Sequence, residues 1–298
     1  MLMNKVAVLL AAYNGEQWIQ EQISSILKQK NVDVTLFISI DQSSDNTLML
    51  CEELALSEPR INLLPYGDIF GGAALNFYRL IKDVDFTSFD YISFADQDDI
   101  WLEDKLQRAS LFLEKYDVYS SNVIAFWPNG KAVLINKAQP QVKYDFLFEA
   151  AGPGCTYVIH RDVAIEFKKF IVSKWQEVKK IELHDWLFYS FSRVKNFQWV
   201  IDERPGMYYR QHQNNQVGAN NTMAGAVKRL NLIKCKWYRE QICRMISVFE
   251  DEVYIPFYRE LKTDSYFDKL KILPYLNKIR RRPRDRMYLA IAILIGYF

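Results

Sequence analysis

The chain has 298 residues, of which 50% are hydrophobic and 25% charged, and its formal net charge is +2. These fractions are typical of a globular protein with one large domain or two smaller ones, and they exclude a disordered or collagen-like chain. The sequence has no uninterrupted apolar run of the ~18–20 residues that a membrane-spanning helix needs. Its four cysteines are widely spaced, which indicates reduced thiols in a cytoplasmic protein rather than a zinc site or a disulfide framework.

Strands and helices alternate through the first hundred residues. The continuous apolar run Val6–Ala12 predicts a strand that is covered on both faces, and Ile19, Ile23 and Ile26 then fall on one face of a helix. The elements predicted after these are a strand over Val34–Ile40, a helix from Ser44 to about Ser57, a strand over Ile61–Leu64, a helix from Gly71 to about Lys82 and a strand over Tyr91–Ala95. This alternation predicts a Rossmann-like α/β fold with a mostly parallel central sheet and flanking helices.

The second half of the chain is less regular. The predicted elements are strands over Val118–Trp127, Cys155–His160, Phe197–Ile201 and Met207–Arg210, and helices near Asp162–Phe170 and Asp185–Arg193. From Ala226 onward the pattern is only helical. We therefore expect an α/β domain over residues 1–225 and a helical C-terminal segment over residues 226–298.

The C-terminal segment is basic, with 16 Lys and Arg against 8 Asp and Glu over residues 226–298. Five arginines between Arg280 and Arg286 directly precede the apolar stretch Met287–Phe298. Twelve residues are too few to span a bilayer, but a basic and apolar segment can lie on an anionic membrane surface. The alternative is a helix that packs back on the first domain, and the pattern suits both.

Polar side chains follow three of the predicted strands at the points where they end. Tyr13 and Asn14 follow the first strand, Asp41 follows the second, and the run Asp96–Asp99 follows the fourth. Ligands bind in open α/β sheets beyond the carboxyl ends of the strands. Clustered carboxylates repel one another unless a cation lies among them, so this run predicts a site for a metal and a phosphate group. The alternative for its last member is a helix cap.

Other motifs narrow the choice of function. The chain has neither a Walker-type loop nor a Gly-x-Gly-x-x-Gly after the first strand, which disfavours a P-loop enzyme and a dinucleotide oxidoreductase. Among the three histidines, His160 and His184 suit structural roles. His212 lies in a dense polar run after a strand and is a candidate metal ligand, although a lone histidine is more often structural.

A set of ordered motifs over residues 4–220 resembles the family 2 inverting glycosyltransferases, and within them the bacterial rhamnosyltransferase-type branch. The motifs are Ala12–Asn14, Asp41–Thr47, Gly71–Phe77, Asp96–Trp101, His184–Trp186 and Tyr209–His212. The resemblance implies a GT-A fold and a nucleotide-sugar donor. The residues that it assigns to the donor pocket are Ala11, Tyr13, Asn14, Asp41, Asn76, Asp96, Gln97 and Asp98.

Within this pocket the resemblance implies that Tyr13 packs on a pyrimidine ring and that Asp41 accepts the N3–H of that ring. It implies a Mg²⁺ or Mn²⁺ ion bound by Asp98 and His212. Such a cation stabilises the negative charge on the departing diphosphate.

On the acceptor side the resemblance implies that Asp185 is the general base, because an attacking hydroxyl needs a carboxylate to take its proton. Gly154, Trp186 and Asp99 are expected to contact the acceptor. The alternatives are a helix cap for Asp185, core packing for Trp186 and a turn for Gly154.

The expected function is transfer of a sugar, with L-rhamnose from dTDP-L-rhamnose as the preferred donor, to a glycan or lipid-linked saccharide in surface polysaccharide synthesis such as O antigen or capsule. We expect a cytoplasmic protein, peripheral on the inner face of the membrane, that binds no nucleic acid. A UDP-hexose-dependent enzyme of the same fold, a nucleotidyltransferase and a non-catalytic glycan-binding module stay open. Residues 6–22 hold no Lys or Arg to grip a triphosphate, which disfavours the nucleotidyltransferase.

Overall fold

The computed structural model describes residues 3–212 and 236–298, so the predicted domain boundary at residues 225 and 226 lies outside the described part. Its strands are β1 (Asn4–Ala12), β2 (Val32–Ile40), β3 (Ile61–Leu63), β4 (Tyr91–Asp96), β5 (Ile100–Trp101), β6 (Val118–Ser121), β7 (Val123–Phe126), β8 (Ala132–Ile135), β9 (Val158–His160), β10 (Trp199–Asp202) and β11 (Met207–Arg210). Its helices are α1 (Ile19–Leu27), α2 (Thr47–Ser57), α3 (Ala73–Asp83), α4 (Lys105–Leu113), α5 (Arg161–Ser173), α6 (Trp175–Val178), α7 (His184–Val194), α8 (Trp237–Val248), α9 (Tyr258–Lys262), α10 (Tyr266–Leu270), α11 (Leu276–Ile279) and α12 (Pro283–Leu294).

Two sheets organise the described chain. The central sheet has seven strands in the order β10-β6-β9-β4-β1-β2-β3, and the smaller sheet has four in the order β5-β11-β7-β8. Within the central sheet β1 pairs in parallel with both β2 and β4, and only β9 runs antiparallel to its neighbours. The predicted α/β architecture with a mostly parallel central sheet is therefore confirmed.

The first strand lies at the centre of this sheet because its side chains are apolar on both faces. Residues 6–10 of β1 are buried, and two hydrophobic clusters cover its opposite faces. Ala7 and Leu9 belong to one cluster, whereas Val6 and Val8 belong to the other. Successive side chains of a strand point to opposite faces, so a continuous apolar run is what a doubly covered strand requires.

Parts of the second half differ from the prediction. The run Val118–Trp127 is not one strand, because the chain changes sheets at Asn122, whose side chain bonds Glu203 O and the N–H of Lys137. The run Cys155–His160 starts with a 3₁₀ turn over Gly154–Thr156 before β9 begins. Helix α4 and the short strands β5 and β8 were not predicted.

The C-terminal helices pack on the α/β part of the chain. Ile246 of α8 and Ile293 of α12 are buried in the same cluster as Phe94 of β4. Arg281 is also buried, where its backbone N–H donates to Glu149 Oε1 (2.7 Å) and its guanidinium to Ala150 O (2.6 Å). One face of the apolar segment therefore packs on the domain.

The opposite side of the last helix is apolar and exposed. The exposed apolar side chains at this end of the chain include Met287, Tyr288, Ile291, Leu294 and Ile295. Within residues 3–212 and 236–298, none of the helices combines the length and the apolar character needed to cross a membrane.

Candidate active site

The parallel register of the central sheet brings the polar strand ends to one edge. Ala11 of β1 lies opposite Ser39 of β2 and Asp96 of β4, and Asp41 is the first residue after β2. The carboxyl ends of three neighbouring strands thus meet, as the sequence predicted for a ligand site. Ala11, placed in the donor pocket by its motif, is partly buried in the middle of this edge.

The carboxylate of Asp41 is largely occupied by backbone donors. Its Oδ1 accepts the N–H groups of Gln42 (2.8 Å) and Phe70 (2.9 Å), and its Oδ2 accepts that of Gly71 (3.0 Å). A carboxylate offers about four acceptor positions, so one remains for a further donor such as the N3–H of a base. The loop before α3 is thereby fixed against the end of β2.

Tyr13 is exposed beside Asp41, and its backbone is bound by Gln97. The Tyr13 N–H donates to Gln97 Oε1 (2.7 Å), and Gln97 Nε2 donates to Tyr13 O (2.8 Å). Asn14 adopts a left-handed backbone with φ of 46°, and its Oδ1 accepts the N–H of Ser44 (2.8 Å). Gln97 and Asn14 therefore hold the three strand-end loops together.

Asn76 is buried at the ends of β1 and β2, where its side-chain amide bonds to backbone carbonyl oxygens. Its side chain is 2% exposed, and Nδ2 donates to Ala12 O (3.3 Å) and Ser39 O (3.0 Å). Its Oδ1 is buried without a hydrogen-bond partner among the described residues, so the expected contact of Asn76 with the donor stays a prediction. Asn76 thus links the end of β1 to the end of β2.

Asp98 and His212 meet, although they are far apart in sequence. His212 Nε2 lies 2.5 Å from Asp98 Oδ2, and the imidazole stacks on Trp18 with ring centroids 4.1 Å apart. Arg210 holds the two segments together, because its Nε donates to Asp98 O (2.7 Å). A carboxylate oxygen and an imidazole nitrogen that converge in this way form a donor set suited to a divalent cation.

The neighbouring carboxyl groups show the cost of this crowding. Burial, and next the charge on Asp98, raise the pKa of Asp96 to about 7, and the charge on Asp185 contributes to the same shift. Burial likewise raises the pKa of Asp99 well above its usual range. Asp96, Asp99 and Cys155 also lie close enough together to share one ion. An added cation would relieve this repulsion, so the residues present fit a metal.

Asp99 does not lie where an acceptor could reach it. Its side chain is 0% exposed, and its Oδ1 accepts the backbone N–H of Arg210 (3.1 Å). This burial does not support the expected acceptor contact of Asp99, which stays a prediction. Asp99 binds strand β11, which carries the chain to His212.

Asp185 lies in the first turn of α7, where Leu183 is the capping residue. Its Oδ1 accepts the N–H of Trp186 (2.8 Å), and a backbone hydrogen bond from Gly154 also stabilises its ionised form. Burial nevertheless raises the pKa of Asp185 to about 6. A carboxyl group with this pKa is ionised at pH 7 yet basic enough to accept a proton.

Gly154 is needed for packing rather than for contact with a sugar. It is buried, and a Cβ at this position would lie 2.8 Å from His184 Nε2 and 2.9 Å from Asp185 Cβ. The absence of a side chain therefore lets the start of α7 approach the 3₁₀ turn. The expected acceptor contact of Gly154 becomes an indirect role, the placement of Asp185.

Trp186 is packed in the core, which was the alternative to a sugar contact. Its ring is 3% exposed, its Nε1 donates to Phe146 O (2.8 Å), and it stacks on Tyr238 of α8. A ring whose polar atom is bonded and whose surface is covered offers no face to a ligand.

Three further residues near the site were not predicted, because no sequence motif points to them. Trp18 supports His212, and the hydroxyl of Tyr66 accepts the N–H of Ser43 (3.2 Å) beside Asp41. The charge of Lys137 lowers the pKa of Asp185 against the effect of burial. Each lies in a loop or a first helical turn, where periodicity gives no indication of side-chain contacts.

Comparison with known proteins identifies the chain's family. The family model described as Glycosyl transferase family 2 matches residues 7–170. The dTDP-rhamnosyl transferase RfbG of Shigella flexneri is 48% identical over 292 residues, which cover 97% of this chain and 100% of that protein. The UDP-Glc:alpha-D-GlcNAc-diphosphoundecaprenol beta-1,3-glucosyltransferase WfgD of Escherichia coli is 32% identical over 52% of this chain and 59% of its own length.

Solved structures share the fold at low sequence identity. S. aureus TarS 1-349 in complex with UDP superposes with a TM-score of 0.57 at 14% identity, covering 98% of this chain and 89% of that one. A mannosyltransferase from Pyrobaculum calidifontis, in complex with GDP-Man and Mn²⁺, gives a TM-score of 0.56 at 13% identity over 100% of this chain and 81% of that one.

The family match excludes the two other functions considered from the sequence, a nucleotidyltransferase and a non-catalytic glycan-binding module. The fold, the strand-end motifs and the full-length similarity all agree. The chain belongs to glycosyl transferase family 2 and is an enzyme that transfers sugar on a GT-A fold.

Proposed function

We propose that the enzyme transfers L-rhamnose from dTDP-L-rhamnose to a glycan acceptor in bacterial surface polysaccharide synthesis. The observation that carries this proposal is the 48% identity with a dTDP-rhamnosyl transferase over essentially the whole of both chains. Similarity of this extent includes the acceptor side as well as the donor side of the site.

The thymine base belongs beside Asp41, on the surface formed by Tyr13 and Tyr66. Asp41 retains one acceptor position for the N3–H of the base, and both tyrosines are exposed. The donor's diphosphate then extends toward Asp98 and His212, where a divalent cation, Mg²⁺ or Mn²⁺, would be held. Bound there, the cation supplies Lewis-acid stabilisation of the charge that develops on the leaving diphosphate.

Asp185 acts on the opposite side of the sugar. It takes the proton of the acceptor hydroxyl as that oxygen attacks the anomeric carbon, and the bond to the diphosphate oxygen breaks on the far face. One base without a covalent nucleophile yields inversion. Gly154 and the helix start keep the Asp185 carboxylate in place, and Lys137 and the backbone donors favour its ionised form.

The donor can be tested directly with a panel of nucleotide sugars. We expect turnover with dTDP-L-rhamnose and at least ~10-fold lower kcat/KM with UDP-glucose and UDP-GlcNAc, because the sugar pocket must distinguish hydroxyl groups that it hydrogen-bonds. The measurement is release of dTDP or UDP in the presence of an acceptor extract. Turnover only with a UDP-hexose would favour the alternative function, a UDP-hexose-dependent glycosyltransferase of the same fold.

The metal assignment predicts a loss of binding as well as of activity. Asp98→Asn removes the negative charge that attracts a hard cation, so the Mn²⁺-dependent rise of the melting temperature with dTDP should disappear. Asp33→Asn, at an exposed position on β2, is the matched control. An unchanged Mn²⁺ titration in Asp98→Asn would remove this residue from the metal site.

The assignment of the base predicts a specific pH dependence. A pKa raised to about 6 means that Asp185 is protonated below that pH, so kcat should fall as the pH drops through about 6. Asp185→Asn should lower kcat by ~10²–10⁴-fold, remove this limb of the profile and leave dTDP affinity unchanged. A near-normal kcat, with only the melting temperature altered, would indicate a purely structural role.

We also propose that the exposed apolar side of α12 contacts the membrane on which a lipid-linked acceptor would be carried. Exposed Leu294 and Ile295 support this, whereas Arg280, Arg281 and Arg286 bond mainly within the protein. Co-sedimentation with anionic vesicles should fall for the double change Leu294→Ser and Ile295→Ser and not for Leu56→Ser, an exposed position on α2. Equal sedimentation of all three proteins would exclude this contact.

A further inference from the structure

Lys137 lies on the segment that follows β8 and borders the loop that supports Asp185. Its backbone N–H donates to Asn122 Oδ1 (2.6 Å), which anchors the segment where the chain passes from one sheet to the other. A Cβ built on Gly152 would lie 3.8 Å from Lys137 Cβ, and Gly154, two residues further, contacts Asp185. Lys137 is thus held beside the acceptor side of the site by close packing.

The amine of Lys137 is a half-buried cation without an acidic contact. No carboxylate lies within 4.0 Å of it in residues 3–212 and 236–298, although the charge of Glu149 acts on it from further away. Burial lowers its pKa to about 8, so it still carries a charge at pH 7, and that charge lowers the pKa of Asp185. The two groups therefore lie within electrostatic reach of each other.

A second cation adjoins the same segment. Arg282 is half-buried, and its Nε donates to Gln139 Oε1 (3.1 Å), two residues from Lys137. The two preceding arginines each form an ion pair, Arg281 with Glu149 (3.4 Å) and Arg280 with Asp285 (3.7 Å). Among the described residues Arg282, like Lys137, has no carboxylate within 4.0 Å, and the charges of Asp285 and Glu149 reach it only from further away.

We propose that Lys137 and Arg282 bind a phosphate group of the acceptor. This rests on the proposed function, because an inverting attack places the acceptor and the departing diphosphate on opposite sides of the anomeric carbon. Lys137 acts electrostatically on Asp185, and Arg282 lies close enough to act on Lys137. An ammonium and a guanidinium together match a group with two negative charges, and each forms charge-assisted hydrogen bonds to phosphate oxygens. The acceptor class is thereby a saccharide joined to a phosphate or diphosphate.

Binding can be measured without transfer. With the donor site saturated by dTDP and Mg²⁺, calorimetry with decyl diphosphate should show binding to the wild-type protein. Lys137→Met and Arg282→Met should each weaken it about 10-fold or more, because a charge-assisted hydrogen bond is lost. Lys137→Arg should retain most of the affinity. Lys169→Met, at an exposed position on α5, is the matched control and should bind as the wild type does.

Two further probes separate the explanations. Decyl glucoside carries no charge, so its affinity should be the same in all variants. If the methionine variants lost as much affinity for decyl glucoside as for decyl diphosphate, the pocket itself would have collapsed, and this would overturn the proposal. If inorganic pyrophosphate binds as tightly as decyl diphosphate, the site recognises the phosphate groups and not the lipid. If decyl diphosphate binds more tightly, the site also recognises the lipid of a lipid-linked acceptor. Both results support a phosphate site.

Unchanged decyl diphosphate affinity in both methionine variants, or no binding by the wild-type protein, would refute the proposal. Neither result depends on the identity of the donor sugar, which the nucleotide-sugar panel tests separately. An unaltered dTDP affinity in Lys137→Met confirms that the donor side of the site has stayed intact.

Discussion

Repulsion among carboxylates at the end of β4 is the constraint on which the arrangement of this enzyme depends. Asp96, Asp98 and Asp99 leave the sheet within four residues, and burial and mutual charge raise the pKa of the first and last of them. Groups from the end of β11 contact this loop: the Arg210 N–H donates to Asp99, its Nε donates to the backbone oxygen of Asp98, and the imidazole of His212 lies against the Asp98 carboxylate. The acidic loop therefore fixes where the smaller sheet can lie.

Much of the strand-end geometry was predictable because it follows from local sequence. Apolar runs such as Val6–Ala12 identify doubly covered strands, and parallel strands place their carboxyl ends at one edge, so the proximity of Asp41 and Asp96 could be expected. The split at Asn122 could not be predicted, because no glycine or proline interrupts that run and only the sheet that each half joins distinguishes the two strands. The local hydrophobic pattern of a segment indicates that it is buried, but it does not indicate which strand or helix the segment packs against.

The same limit explains the residues that proved structural. Gly154 must be small because His184 and Asp185, thirty residues away, pack against it, and no local pattern contains that contact. Trp186 is buried by Phe146 and by Tyr238 of the C-terminal segment. The charge of that segment shows a related limit, since a count of arginines does not distinguish cations facing solvent from cations bonded to carbonyl oxygens and buried acids.

The two sides of the reaction are built from different parts of the chain. The family model matches residues 7–170, which include Asp41 and Asp98 but end before Asp185 and His212. The proposed acceptor side adds α7, the segment after β8 and the arginines before α12. Arg282 bonds to Gln139 of that segment across more than a hundred residues of sequence. On this proposal, substitutions around Lys137 and Arg282 would change acceptor binding without disturbing the loops that are expected to hold the nucleotide. Asp185, the proposed base, lies in the first turn of α7 between these two parts.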